Sequence, residues 1–333
     1  MRNLQSSKLV AAFFAALLCA SSAGAEPKKL RLGYVGWEVG AAIAYVGLDG
    51  GIFKQYDIDV EEVFIRDLFG GGVQSLIGVD FLVGFGNPLG LIQPIISGSD
   101  IVSLLAHVSA EPYAMGVSSN IKSVRDLKGK RIGVSQVGGR SDLVARVMLR
   151  RAGLDPVKDV QFVSAGFGPN RVAALAKDLI QGAPLNFQFA AEAKKFGVKI
   201  LDPKEVPIIT ALLMTTRSMI KKDEETVRRF VKGYVAAIHY FLTRRKESIA
   251  IIKKYLSSSE GSAIETMYET FAAQLKPLPL PDKEATQAMI DAIATVDVKS
   301  KTINPSDLFD SRFLEELKAS GFVEKLYVEK ISL

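Results

Sequence analysis

Apolar positions along the chain switch between two periods, and the switch repeats. Leu30-Arg31-Leu32-Gly33-Tyr34-Val35 alternates, which predicts a strand. Ala41 to Leu48 is apolar at helical spacing and is stopped by Gly50-Gly51. Ile58 to Phe64 reads as a second strand, Gly70 to Ile77 as a short helix and Phe81 to Phe85 as a third strand. Gly86-Asn87-Pro88 then turns into a helix ending near Gly98, and Ile101 to His107 and Tyr113 to Ser118 read as two strands. The rhythm continues with a strand at Arg131 to Ser135 and a corner at Gly138-Gly139-Arg140-Ser141-Asp142. The helix after it carries Leu143, Val144, Val147 and Met148 on one face. Val160 to Val163 predicts a strand, Gly166 to Asn170 a loop, and Arg171 to Ile180 a helix. Leu185 to Phe189 follows as a strand, Ala190 to Phe196 as a helix capped by Gly197, and Val198 to Leu201 and Ile208 to Thr216 as strands.

From Asp223 the pattern becomes helix after helix. Val227, Phe230, Val231, Tyr234, Val235, Ile238, Phe241 and Leu242 form one long apolar stripe, which is the signature of core rather than of a cofactor box. Alternating strand and helix followed by helices predicts an α/β architecture with a mostly parallel sheet and a helical tail. Crossings near Tyr113 and Ile209 would make two α/β units with a ligand cleft between them. The corner at Gly138 to Asp142 stands out. Strand, Gly-Gly and a Ser/Asp-capped helix present unpaired N–H groups and the positive end of a helix dipole to an anion or polar ligand. The same residues also suit an ordinary, well-capped βα corner.

Composition narrows the partners. Of 333 residues, 48% are apolar and 23% charged, enough for a large core and two domains. Net charge is +6, but the first 25 residues hold Arg2 and Lys8 and no acid, which leaves +4 on the rest. Basic residues come only in short groups such as Arg244-Arg245-Lys246, so no nucleic-acid surface is expected. Residues 1–25 read as a secretory signal peptide: two bases, an apolar run from Leu9 to Leu18 too short to span a bilayer, and Ala23-Gly24-Ala25 before a cleavage site. The single cysteine, Cys19, lies inside it. Cleavage after Ala25 would remove disulfides, thiol catalysis and cysteine metal sites together. With only His107 and His239 besides, no metal and no cofactor are expected. Gly70-Gly71-Gly72 lacks the lysine and hydroxyl of a phosphate loop and reads as a turn.

Several segments, in order, carry a family resemblance: Leu32-Gly33-Tyr34, Gly51-Ile52-Phe53-Lys54, Val79-Asp80-Phe81, and Ile121 through Val134. The Gly138 to Asp142 corner, Ala152-Gly153-Leu154-Asp155 and Leu308-Phe309-Asp310-Ser311-Arg312-Phe313 complete it. In this order, after a signal peptide, the chain resembles the nitrate/sulfonate/taurine-type solute-binding proteins of ABC importers. The resemblance implies a type II periplasmic binding-protein fold of two hinged α/β lobes. Residues 26–114 plus 212–333 would form one lobe and 115–211 the other. It implies a periplasmic, monomeric protein that captures a small organic anion, a carboxylate or sulfonate with an aromatic body as one option, without catalysis. The partners implied are the permease and ATPase subunits of the importer. A periplasmic sensing subunit and an enzyme on the same fold are the alternatives. Where the family has a Gly-x-x-Asp step before each of two strands, this chain has Gly78-Val79-Asp80, one residue shorter, and Gly182-Ala183-Pro184-Leu185-Asn186 without the aspartate.

Carried over by position, the resemblance places ligand contacts at Trp37, Asn87, Gly139, Arg140, Ser141, Asn170 and Phe189, with Glu38, Phe167 and Gln188 beside them. The residue chemistry leaves alternatives at each. Arg140 at a helix start can grip a carboxylate or sulfonate bidentately, or can pair with Asp142. Trp37 can stack on a planar ligand or fill the packing of a lobe. Asn87 and Ser141 can contact ligand or cap a helix. Glu38 can bind an ammonium group or sit as a solvated loop charge. His107 reads as a satisfied neutral side chain at a strand end, and His239 as a flank residue of the helical stripe.

Overall fold

The computed structural model describes residues 27–34, 41–64, 81–82, 85–86, 88–255 and 261–328. The predicted leader, the predicted helix at 70–77, and Trp37, Glu38 and Asn87 all lie outside the described residues.

Two sheets organise the chain. In the first, β1 (Lys28–Tyr34) pairs in parallel with β2 (Ile58–Phe64) on one side and with β3 (Phe81–Leu82) on the other. The second has six strands in the order β4-β9-β5-β8-β6-β7, comprising β4 (Phe85–Gly86), β5 (Ile101–Val117), β6 (Lys130–Val134), β7 (Val160–Ser164), β8 (Gly182–Asn186) and β9 (Lys199–Thr216). It is mixed rather than mostly parallel. β6 pairs in parallel with β7 and β8, whereas β5 runs antiparallel to β8 and β9.

The long strands are the main departure from the sequence pattern. The two strands expected at 101–107 and 113–118 are one, and those expected at 198–201 and 208–216 are one. Register shifts absorb the interruptions, at Ser103/Leu105, Ala106/Val108, Val108/Ala110 and Tyr113/Met115. Pro112, Pro203 and Pro207 offer no ladder donor: Pro203 lies at the shift between Tyr113 and Met115, Pro207 stands opposite Ala110 beside the shift at Val108/Ala110, and Pro112 faces Glu205 in the short regular run between those two shifts. At the first shift the Ser103 hydroxyl donates to the carbonyls of Leu105 at 2.8 Å and Leu213 at 3.0 Å, answering groups the ladder leaves open.

Helices close three apolar clusters. The first lies beneath α1 (Ala41–Asp49), α2 (Ile52–Gln55), α8 (Glu224–Thr243) and α9 (Arg245–Tyr255), where Phe53 and Phe230 stack at 5.2 Å. Asp223 caps α8 by accepting from Thr226 N at 3.1 Å, which is why the helical stripe starts there. The second cluster joins α3 (Pro88–Ile96), β5, β6, β9, α4 (Arg140–Arg151) and α11 (Lys283–Ile293). The third joins α5 (Gly168–Ala176), β8 and α6 (Phe187–Ala193). Each buried large side chain in these clusters contributes roughly 1.5–3 kcal/mol. β5 supplies Val102, Leu104, Leu105 and Val108 to the first, Tyr113, Met115 and Val117 to the second, and Ala114 to the third. The remaining helices are α7 (Arg217–Lys222), α10 (Gly261–Ala272), α12 (Arg312–Ala319) and α13 (Phe322–Val328).

Candidate functional site

β6, β7 and β8 point the same way, and each passes at its carboxyl end into a helix: α4, α5 and α6. Three loops and three helix starts therefore meet at one edge of the sheet, the place where open α/β sheets hold ligands.

Each corner has its own local cause. In the first, Gly138 adopts φ +82°, and Gly139 is the extended N-cap of α4. The Asp142 carboxylate accepts from Gly138 N at 2.7 Å and from Arg146 Nε at 2.9 Å, pinning the turn. Ser141 is buried. Its Oγ accepts from Ser135 N at 2.8 Å and shares a second 2.8 Å bond with the Ser135 hydroxyl, sewing the end of β6 to the helix. In the second corner Gly166 adopts φ +72°, Pro169 stands in the first turn of α5, and the Phe189 ring lies against Gly168. A Cβ at Gly168 would lie 2.1 Å from that ring. In the third, the Asn186 side chain caps α6 by accepting from Phe189 N at 2.9 Å. The strand expected over 185–189 thus ends at Asn186, and Phe189 belongs to the first turn of a helix. The segment Gly182–Asn186, where the family's Gly-x-x-Asp step was missed, is β8 itself.

The floor of this edge comes from β5. Glu111 and Tyr113 are two residues apart, so their side chains share a face, and Tyr113 stands opposite Asn186 of β8. Glu111 is buried, and its Oε1 lies 3.3 Å from Arg140 Nη2, while the Arg140 side chain is 47% exposed. Tyr113 is buried too. Burial pushes its phenol up, Glu111 pushes it further, and Arg140 and Arg171 pull it back. Arg171, in the first turn of α5, is 5% exposed. Its Nε and Nη1 are buried and make no hydrogen bond among the described residues. Burial lowers its pKa, and Tyr113 opposes that shift. A buried guanidinium with donors unanswered costs several kcal/mol, and the positive pole of a helix adds to the penalty. Each of the three corners also carries an exposed apolar side chain: Val137, Phe167 and Phe187.

Of the residues expected from the sequence, Gly139, Arg140, Asn170 and Phe189 come together at this edge. Asn170 is exposed and packs on Gly166, and Phe189 is half-buried. Ser141 is there, but its hydroxyl serves the corner. The Gln188 side chain lies outside the described residues. Glu111, Tyr113 and Arg171 were missed. Glu111 and Pro112 read as part of a gap between strands, Tyr113 as the first residue of the next strand, and Arg171 as the start of a helix. The available signal was that Arg171 follows a Gly-Phe-Gly-Pro loop in the same way that Arg140 follows Gly-Gly.

His107 is not at a strand end but inside β5, where its Nε2 and the Tyr234 hydroxyl share a 2.5 Å hydrogen bond, and burial pushes the imidazole down to about 3. His239 lies on α8 with its ring edge-on to Tyr327. Among the described residues no group of three or more His, Cys, Asp and Glu is placed to hold a metal. A separate depression of about 440 Å³ is lined by Arg217, Lys221, Glu224, Asp310 and Arg312. Arg312 bridges Glu224 and Asp310 at 3.2 Å each, and Arg217 donates to the Asp307 carbonyl, so its charges largely answer one another.

A mixed sheet spanning apolar clusters, with helix starts gathered at its carboxyl edge, is the architecture of the periplasmic binding proteins. The aliphatic sulphonate-binding protein SsuA of Escherichia coli shares it at a TM-score of 0.64 with 18% identity, over 86% of this chain and 92% of that one. The desulfurization enzyme DszB shares it at 0.56 with 15% identity, over 88% and 99%. The family described as NMT1/THI5 like matches residues 39–248, and the chain belongs to that family. Among curated relatives, the Bacillus subtilis protein YtlA, named as a candidate binding protein, is 23% identical over 273 residues, 76% of this chain and 78% of that one. Among the described residues no helix is long and apolar enough to cross a membrane.

Proposed function

We propose that the protein is the solute-binding component of an ABC importer. It captures a small organic anion, a carboxylate or sulfonate, and delivers it to a permease driven by an ATPase. The observation that carries this reading is the polar floor at the carboxyl edge of β6, β7 and β8, where Arg140, Glu111, Tyr113 and Arg171 gather and each corner carries an exposed apolar side chain. Membership of the family and the binding proteins among its fold relatives support it. We place the lobes at 26–114 with 212–333 and at 115–211, with the leader removed after Ala25 and the mature protein in the periplasm. Ligand contacts from the first lobe would come from Trp37 and Asn87. Closure is then a population shift, driven by contacts a ligand makes with both lobes. DszB shows that the fold also supports an enzyme. Binding without catalysis fits a chain whose only cysteine stands in the leader.

A thermal-shift screen of sulfonates, aromatic and aliphatic carboxylates, nitrate and pyrimidines tests the reading, because a ligand that binds the folded state raises the melting temperature. At least one organic anion is expected to raise it in proportion to the logarithm of its concentration. A response confined to neutral pyrimidines would replace the anion reading.

A further inference from the structure

We infer that Arg171, rather than Arg140, takes the anionic head of the ligand, and that the site is built for a monoanion with an apolar body. The inference rests on the importer reading and sharpens it to a residue and a ligand class.

The two arginines stand in different situations. Arg140 is half exposed and already lies 3.3 Å from the Glu111 carboxylate. Arg171 is 5% exposed, and two of its nitrogens make no hydrogen bond among the described residues. It also stands in the first turn of a nine-residue helix, where the backbone dipole already disfavours a cation. An anion at this position would relieve both penalties together. It would accept from a guanidinium that has lost its water, and it would meet the positive end of α5. Arg140, by contrast, would have to share itself with Glu111.

Charge fixes the valence. Among the described residues Arg140 pairs with Glu111, which leaves Arg171 as the cation of this floor whose donors are unanswered. A singly charged carboxylate or sulfonate balances it. A phosphate monoester carrying two negative charges brings one too many, close to the buried Glu111 carboxylate. The rim sets the rest of the ligand. Val137, Phe167 and Phe187 each come from a different corner and are exposed, Phe167 by 80%. The half-buried Phe189 ring lies against Gly168 in the second of these corners. Such a rim is suited to cover a ring or a branched chain attached to the charged head.

Calorimetric titration of the purified protein with four probes tests this: benzenesulfonate, benzoate, methanesulfonate and phenyl phosphate, at a pH where the last is a dianion. Benzenesulfonate or benzoate is expected to bind at least about tenfold more tightly than methanesulfonate and than phenyl phosphate. With the better of the two aromatic probes, Arg171→Met is expected to lose at least about tenfold in affinity while the empty variant melts at or above the wild-type temperature. Arg171→Lys, which keeps the charge and loses the planar fork, is expected to bind at an intermediate level. An arginine with a structural role would lower the melting temperature instead, and a Met variant less stable than wild type overturns the inference. So does unchanged affinity in Arg171→Met, or phenyl phosphate or methanesulfonate binding as tightly as the aromatic monoanions. If none of the four probes binds the wild-type protein while a neutral pyrimidine does, the importer reading for organic anions itself fails.

Discussion

Arg146 and Asp142 face each other at 2.9 Å, one turn apart on α4, with side chains 5% and 0% exposed. The pair does more than brace one helix. Asp142 also accepts from Gly138 N, and Arg146 donates from Nη1 to Thr295 Oγ1 at 2.8 Å while its guanidinium lies 4.1 Å from the Phe162 ring centroid. The turn that presents Gly139 and Arg140 is thereby tied to the segment just after α11. Arg146→Ala leaves a buried carboxylate with a single backbone donor from this network. Chemical denaturation is expected to show a loss of about 3–5 kcal/mol. The double variant Asp142→Leu/Arg146→Met, which removes both charges, should recover much of it. A loss below about 1 kcal/mol in the single variant would mean that the pair is not what fixes the turn.

Arg140 can be tested apart from stability. Its side chain is half exposed and at the start of a helix, so Arg140→Ala removes no core packing. The expected result is an affinity more than about tenfold weaker for the anion found in the screen, because Glu111 then faces the ligand without the guanidinium that lies 3.3 Å from it. The folded state should persist. Calorimetry at matched ionic strength measures the first, and circular dichroism checks the second. Unchanged affinity would take Arg140 out of the site.

Gly168 is fixed by proximity rather than by backbone angle. A methyl there would meet the Phe189 ring at 2.1 Å, so Gly168→Ala must displace either the start of α5 or the ring. A destabilisation of about 1–3 kcal/mol is expected. A weaker ligand response should accompany it, since Arg171 and Phe189 move with those elements. Pairing it with Phe189→Leu should return part of the stability, and a double variant no more stable than the single one would disprove the contact.

His107 makes stability depend on acid. Its folded pKa is pushed from 6.5 down to about 3 by burial, so the folded state holds it neutral where the unfolded chain protonates it. Stability from this group is complete above the unfolded value and is lost as pH falls from about 6.5 towards 3, at up to about 1.4 kcal/mol per pH unit. Urea denaturation of wild type and His107→Gln at several pH values isolates the effect. The wild type should show the steeper loss between about pH 4 and 6. Parallel curves would show that the imidazole is reached by solvent protons without unfolding.

The edges of most elements were legible. Ile58 to Phe64 is a strand as its alternation implied, and Asp223 begins the long helix because its carboxylate answers the first turn. What local pattern concealed was continuity. Pro112 and Pro207 look like breaks, yet the neighbouring strand and the bulges hold the chain extended through them. The same blind spot hid part of the site. Glu111 and Tyr113 gain their meaning from lying beside β8 and beneath α4 and α5, a relation between residues far apart in the chain. Arg140 was visible because Gly138 and Gly139 announce a corner. Arg171 sits at an equivalent corner, but its burial and its unanswered nitrogens exist only once the helix is packed.

β5 and β9 feed more than one apolar cluster with the same uninterrupted backbone. A gene fragment ending between these clusters would cut through a strand and expose its hydrogen-bonding edge along the cut. Neither half should therefore be obtainable as a separate soluble fragment. Heating should melt the whole chain in one transition, and a protease nick in either strand should release both halves to degradation at once.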